Sequence, residues 1–225
     1  FLFVFGSGLR QSLAGGNFGV DYITFMYPGI VAMSIMSVSF FSTISTVWDR
    51  EFGFLKEILV APVSRTSIAI GKTGGAAIIA MTQGLVLLLI APLVGIRIHL
   101  AMIPVILVLM CLLSFAIAGI GLLIASLTRT IENFSVIMNL LVFPMFFLSG
   151  AFFPLTAVPL WMKVLSAMNP LSYGVDALRQ ILLASQVGGG LSKLIIHTPI
   201  FDAGFLICFS VVFLSTAVVA FNKRD

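Results

Sequence analysis

The residues able to do chemistry are few, and their spacing argues against catalysis. The chain holds 12 Lys and Arg, 8 Asp and Glu, two histidines and two cysteines in 225 residues. His99 and His197 stand alone in the sequence, neither at metal-ligand spacing from a second donor, so no metal centre is expected. No pattern pairs a nucleophile with a base. Cys111 and Cys208 lie inside apolar runs and read as small hydrophobes. Gly71-Lys72-Thr73 looks like the end of a phosphate-binding loop, but position 66, where that motif needs glycine, is Thr. No buried strand precedes it, so this chain is not expected to bind ATP. Asn133-Phe134-Ser135 is a chance match to a glycosylation acceptor.

The elements that would position any site are set by composition. Hydrophobic residues make up 60% of the chain, charged residues 9%, and mean hydropathy is +1.19. A soluble domain carries about 25% charged residues to face water, which excludes a water-soluble fold. Twenty-one Phe and long aliphatic runs exclude disorder. The net charge of +4 comes from basic residues scattered singly between apolar stretches, with no stripe for nucleic acid.

A helix crosses a hydrocarbon core with about 20 apolar residues, its backbone hydrogen bonds satisfied internally. Four stretches qualify, at about Tyr22–Ser45, Gly74–Ile96, Met102–Leu127 and Ala203–Phe221. A fifth, Asn133–Gly150, is shorter and carries Pro144. Ala151–Leu183 is broken by Pro154, Pro159 and Pro170 and is expected to form short re-entrant or interfacial helices. Phe1–Phe5 looks like the last turn of a span that begins upstream, so six spans are expected in the whole protein. Gly71 and Gly75 form a small-xxx-small spacing that suits close helix approach in lipid.

Placing the loop Thr46–Thr73 in the cytosol puts Arg50, Lys56, Arg65 and Lys72 in one short inside loop, with Arg129, Lys223 and Arg224. The C-terminus is then cytosolic and the location is the cytoplasmic (inner) membrane. Lys72 is expected to snorkel to the headgroups. No span carries a charge near its middle, where one would mark an ion or proton pathway. Power from an ion gradient is therefore disfavoured.

Trp48 to Pro62 is the most informative segment. At helical spacing Phe52, Phe54, Leu55, Ile58 and Leu59 share one arc, opposite Arg50, Gly53, Lys56 and Glu57, with Glu51 the exception on the apolar side. This predicts a short amphipathic helix lying along the membrane and ended by Pro62. It could anchor a loop, or dock a partner. Asp49-Arg50-Glu51-Phe52-Gly53-Phe54-Leu55-Lys56 resembles the coupling segment of the type-2 permeases of ATP-binding-cassette exporters. Leu148-Ser149-Gly150-Ala151-Phe152-Phe153-Pro154, then Asn169-Pro170-Leu171-Ser172-Tyr173 and Arg179, is similar to the signature around that family's fifth span. Phe3 to Leu9 is similar to the end of its first span.

The resemblance implies an all-α integral membrane protein, one six-span permease domain over residues 1–225 with most of the first span missing, closest to daunorubicin-type multidrug exporters. It implies that Arg50, Glu51, Phe52, Phe54, Leu55, Lys56 and Glu57 contact a cytosolic ABC ATPase, two copies per complex, which binds the ATP and Mg while the permease dimer holds no cofactor. It also implies an external gate of re-entrant helices around Phe153, Pro154, Asn169, Pro170, Tyr173 and Arg179. Trp161 and Tyr173 suit the outer membrane interface, and Asp176 and Arg179 could form an exposed ion pair. Ser37, Gln83 and Asn139 could line a path or bond to neighbouring helices. Phe40, Phe41, Phe143, Phe146 and Phe147, with Met36 and Met145, could meet hydrophobic cargo or lipid. The cargo implied is a hydrophobic or amphipathic small molecule. The alternatives are a lipid or lipid-linked glycan, or a membrane-embedded enzyme or scaffold.

Overall fold

A computed structural model describes residues 22–53, 64–96, 98–183 and 195–224. These residues form helices α1 (Tyr22–Glu51), α2 (Arg65–Ile90), α3 (Ile103–Leu127), α4 (Ile131–Phe147), α5 (Leu160–Ala167), α6 (Pro170–Leu183) and α7 (Pro199–Arg224), with short 3-10 turns, and no strand occurs among the described residues. Four helices are long and apolar enough to cross a membrane: Tyr22–Glu51, Thr66–Val94, Leu100–Leu127 and Pro199–Ala220. They coincide with the four stretches expected from hydropathy. α4 is the shorter fifth, with Pro144 inside it.

α3 is the centre of the bundle. It packs on α1, α2, α6 and α7, and its buried face includes Ile106, Met110, Leu113 and Ile117. In lipid no hydrophobic gain draws helices together, so close packing of small residues takes its place. Gly121 of α3 lies so near α1 that a Cβ there would sit 2.5 Å from Thr43 Oγ1, and one on Gly29 would sit 2.5 Å from Ala151 Cβ. The Ser39 hydroxyl of α1 donates to Ser114 of α3 at 3.2 Å. Among the described residues the expected close approach at Gly71 and Gly75 does not occur, since none lies within 4 Å of a Cβ on either. α2 instead turns its Ala69, Ala76, Ala77 and Ala80 side inward.

The segment around Arg50 differs from the expectation. Trp48, Asp49, Arg50 and Glu51 are the last turn of α1, not the start of a separate interfacial helix. Gly53 stops α1 at φ +85°, a left-handed conformation that glycine adopts without strain. Phe54, Leu55, Lys56 and Glu57 lie outside the described residues. A second such glycine, Gly150 at φ +74°, turns the chain from α4 into the Pro-rich stretch. That stretch forms α5 and α6, of 8 and 14 residues, both too short to cross.

α6 is the least expected element: 13 of its 14 residues are buried. It packs on α1, α3 and α7 at the Tyr22 end of α1. Thirty residues at 1.5 Å each place that end about 45 Å from Arg50.

Candidate functional site

At the Arg50 end, two adjacent side chains of α1 hold the α3–α4 connection. The Arg50 guanidinium donates from one nitrogen to the carbonyls of Ala125 (3.2 Å), Ser126 (2.8 Å) and Thr128 (3.0 Å). These are among the last carbonyls of α3, left without intrahelical partners, where the helix dipole favours a cation. The Glu51 carboxylate accepts the backbone N–H of Ile131, the first residue of α4, at 2.9 Å. An anion belongs there, at the positive end of a helix. The position of Glu51 on the apolar arc, which amphipathic periodicity left unexplained, follows from this reach. Beside them Lys72 of α2 pairs with Asp49 of α1. Phe52 and Trp48 remain exposed. Arg50, Arg129, Asn133 and neighbouring residues line a hollow of about 740 Å³.

Nearer the Tyr22 end, α1, α2, α4 and the turn after Gly150 enclose an apolar groove of about 730 Å³. Met26, Met33, Phe143, Phe146, Phe147, Phe152 and Phe153 supply its walls, and Ser34, Ser37 and Gln83 its polar points. Phe153, expected at a gate, therefore lines the groove. Ser37 and Gln83 line it as well. Asn139 does not; it is an exposed residue of α4. Phe40 and Met36 are core residues, 1% and 0% exposed, and meet no groove, while Phe41 is exposed.

The remaining gate residues are clamps. Asn169 donates to the Met145 carbonyl at 2.8 Å and accepts the N–H of Leu171 at 3.0 Å, capping α6 just before Pro170. Pro154 precedes the 3-10 turn Leu155–Ala157. Tyr173, expected at a wet interface, is buried; its hydroxyl donates to the Ala167 carbonyl at 2.8 Å and its ring stacks on Phe205 of α7 at 3.7 Å. Burial beside Asp202 raises the Tyr173 phenol above its ordinary range.

Asp176 and Arg179, expected as an exposed pair, are 2% and 3% exposed. Arg179 donates to the Gly150 carbonyl at 2.8 Å and lies 4.1 Å over the Phe25 ring. Burial pushes its guanidinium down to about 10, partly opposed by Asp176. Asp176 accepts backbone N–H groups from Ile196 (3.1 Å) and His197 (3.0 Å). Burial raises its carboxyl, while those donors and Arg179 pull it back. Gln180 donates to Asp176, to the His197 carbonyl and to Asp202 of α7. His197, isolated in sequence, thus stands beside two carboxylates. The one available signal was Asp202, a lone acid at the border of an apolar run.

Comparison with known proteins agrees with this architecture. Residues 1–183 match the family described as ABC-2 type transporter. The chain is 31% identical over 226 residues to Nodulation protein J of Rhizobium meliloti (strain 1021), covering 97% of this chain and 81% of that one. It is 31% identical over 165 residues to the Putative transport permease ycf38 of Cyanophora paradoxa, covering 72% and 57%. It is 30% identical over 174 residues to the Probable multidrug ABC transporter permease YbhR of Escherichia coli (strain K12), covering 74% of this chain and 46% of that protein. The chain spans only about half the length of two of these relatives. It belongs to the ABC-2 type transporter family and is a multi-pass membrane permease of that family.

Proposed function

We propose that this ABC-2 family chain is the membrane subunit of an ATP-driven exporter that moves hydrophobic or amphipathic small molecules out across the cytoplasmic membrane. The observation that carries the reading is the groove of about 730 Å³, lined by Phe and Met with only a few polar points. Such a lining adapts to apolar cargo of varied shape, because Met is flexible and aromatic faces offer large contact area. The groove opens between helices that also carry the clasp at Arg50 and Glu51, so a push on that clasp reaches the groove through α1.

The power enters at the Arg50 end. A cytosolic ATPase docks against Phe52, the hollow beside Arg129 and the residues 54–57, with two ATPase copies serving a permease dimer. In this reading Arg50 and Glu51 act indirectly. They bind the α3–α4 connection to α1, so that force applied to the loop moves three helices together. ATP and Mg belong to the partner, the C-terminus faces the cytosol, and α5 and α6 cap the outer side.

The test is reconstitution in vesicles with the ATPase. ATP-dependent loss of a fluorescent amphipathic dye supports the reading, and Phe146→Ala is expected to slow it several-fold. Dye movement without any ATPase, or movement only of a lipid-linked glycan, overturns it.

A further inference from the structure

We propose that Asp176, His197 and Asp202 form a binding site for a divalent transition metal of the zinc class. The inference stands apart from the transport reading, since it rests on the junction of α6 and α7 alone. One donor atom from each residue lies within 4.8 Å of the others. The three come from different pieces of chain: α6, the connection before α7, and the first turn of α7.

Asp202 carries the argument. It is 0% exposed, and although Oδ2 accepts from Gln180 at 3.3 Å, the buried Oδ1 has no hydrogen-bond donor among the described residues. A buried acceptor of this kind is costly, and its presence in a native fold points to an ion or water that completes it. Oδ1 faces His197 Nδ1 across 3.6 Å. That is too long for a hydrogen bond. It is close to the edge of a tetrahedron with metal bonds of about 2.1 Å, which is about 3.4 Å. The third donor, from Asp176, lies within 4.8 Å of the other two.

The surroundings have the character of a shell built around an ion. Asp176 is oriented by the N–H groups of Ile196 and His197, and Gln180 ties both carboxylates together. Partners of this sort fix the direction of metal ligands. The His197 ring is held between Tyr173, at 5.3 Å, and Phe201, at 4.9 Å. Asp176 and Asp202 bring two carboxylates together, while Arg179 donates to the Gly150 carbonyl, so a dication offsets the negative charge they share. An imidazole with two carboxylates suits zinc better than calcium or magnesium, which prefer oxygen alone, and better than copper(I), which prefers sulfur. His197 borders a cavity of about 320 Å³, through which an ion could enter and water could supply the fourth ligand.

The experiment uses the full chain in lipid nanodiscs, stripped with a chelator and titrated with zinc alone. Elemental analysis is expected to return one zinc per chain, with a raised thermal midpoint, and cobalt in its place is expected to give the visible bands of a four-coordinate ion. Asp202→Asn and His197→Gln should each weaken zinc binding by tenfold or more, while His99→Gln should leave it unchanged. His197 is partly exposed, so its variant remains informative if Asp202→Asn fails to insert. Less than one zinc per chain, or equal zinc binding in the wild type and His197→Gln, overturns the proposal, leaving a His–Asp ion pair without metal.

Discussion

The Glu51 carboxylate accepts the backbone N–H of Ile131 at 2.9 Å, joining the end of one helix to the start of another 80 residues later. A charge-assisted bond at an exposed helix N-terminus contributes about 1 kcal/mol. Glu51→Ala is therefore expected to lower the thermal midpoint by only about 2–4 °C. Its effect on coupling should be larger: substrate-stimulated ATP hydrolysis in the assembled complex should fall several-fold while membrane insertion persists. Full stimulation in Glu51→Ala would show that the clasp carries no force.

Lys72 and Asp49 join α1 to α2 with each side chain about a quarter exposed. Partial solvation limits such a pair to about 1 kcal/mol or less. Lys72→Asp is expected to be worse than Lys72→Ala because it sets two carboxylates together. Adding Asp49→Lys should recover most of the loss in a thermal-shift double-mutant cycle; no coupling between the two sites would rule out the pairing.

Gly29 and Gly75 separate packing from propensity. A Cβ on Gly29 would meet Ala151 at 2.5 Å and its backbone at 2.7 Å, whereas one on Gly75 would meet nothing within 4 Å. Gly29→Ala should destabilise by about 1–3 kcal/mol. Gly75→Ala should be neutral or stabilising by up to about 1 kcal/mol. Denaturation of each variant in the same detergent measures both, and a large loss at Gly75 would reveal a helix packed there from another chain.

Arg179→Lys should add a pH dependence of stability to that of the wild type. Burial takes the guanidinium from 12.5 to about 10. The same burial would depress a lysine ammonium below its ordinary range, toward neutral pH. For a base whose folded value is depressed, the unfolded chain holds more protons between the two values, so stability rises with pH there. Relative to the wild type at each pH, the thermal midpoint of Arg179→Lys should climb as pH rises from neutral toward the ordinary lysine range of about 10.4. An unchanging difference between variant and wild type would mean that position 179 is reached by water.

Blocking the groove tests cargo directly. Ser37→Trp adds a ring to the lining near Gln83. Dye export should fall tenfold or more with basal ATP hydrolysis retained; unchanged export would move the path elsewhere.

Hydropathy sufficed for the spans because burial in hydrocarbon depends on composition and length, both local properties. Tyr22–Ser45 is short by six residues at its C-terminal end, since Thr46, Asp49 and Arg50 are polar by type yet continue α1 as far as Glu51. Periodicity carried the amphipathic helix through Gly53 because it counts side chains and ignores a backbone able to turn left-handed. The network of Asp176, Gln180, His197 and Asp202 was illegible for another reason: its members gain partners only when α6 folds against α7. The family resemblance, carried by short motifs at Asp49–Lys56 and Leu148–Pro154, is legible because it rests on local sequence; of these residues, Asp49–Gly53 form a helix terminus and Gly150 a turn.

The unbroken run of α1 from Tyr22 to Glu51 constrains how the molecule can work. From Pro28, whose ring removes a backbone donor, to Glu51, a rod pivoting against α3 at Thr43 and Gly121 would not swing its Arg50 tip without an opposing swing of the part beyond the pivot, much as a seesaw does. Opening toward one face and sealing toward the other would then be one mechanical event, needing no second messenger to synchronise them.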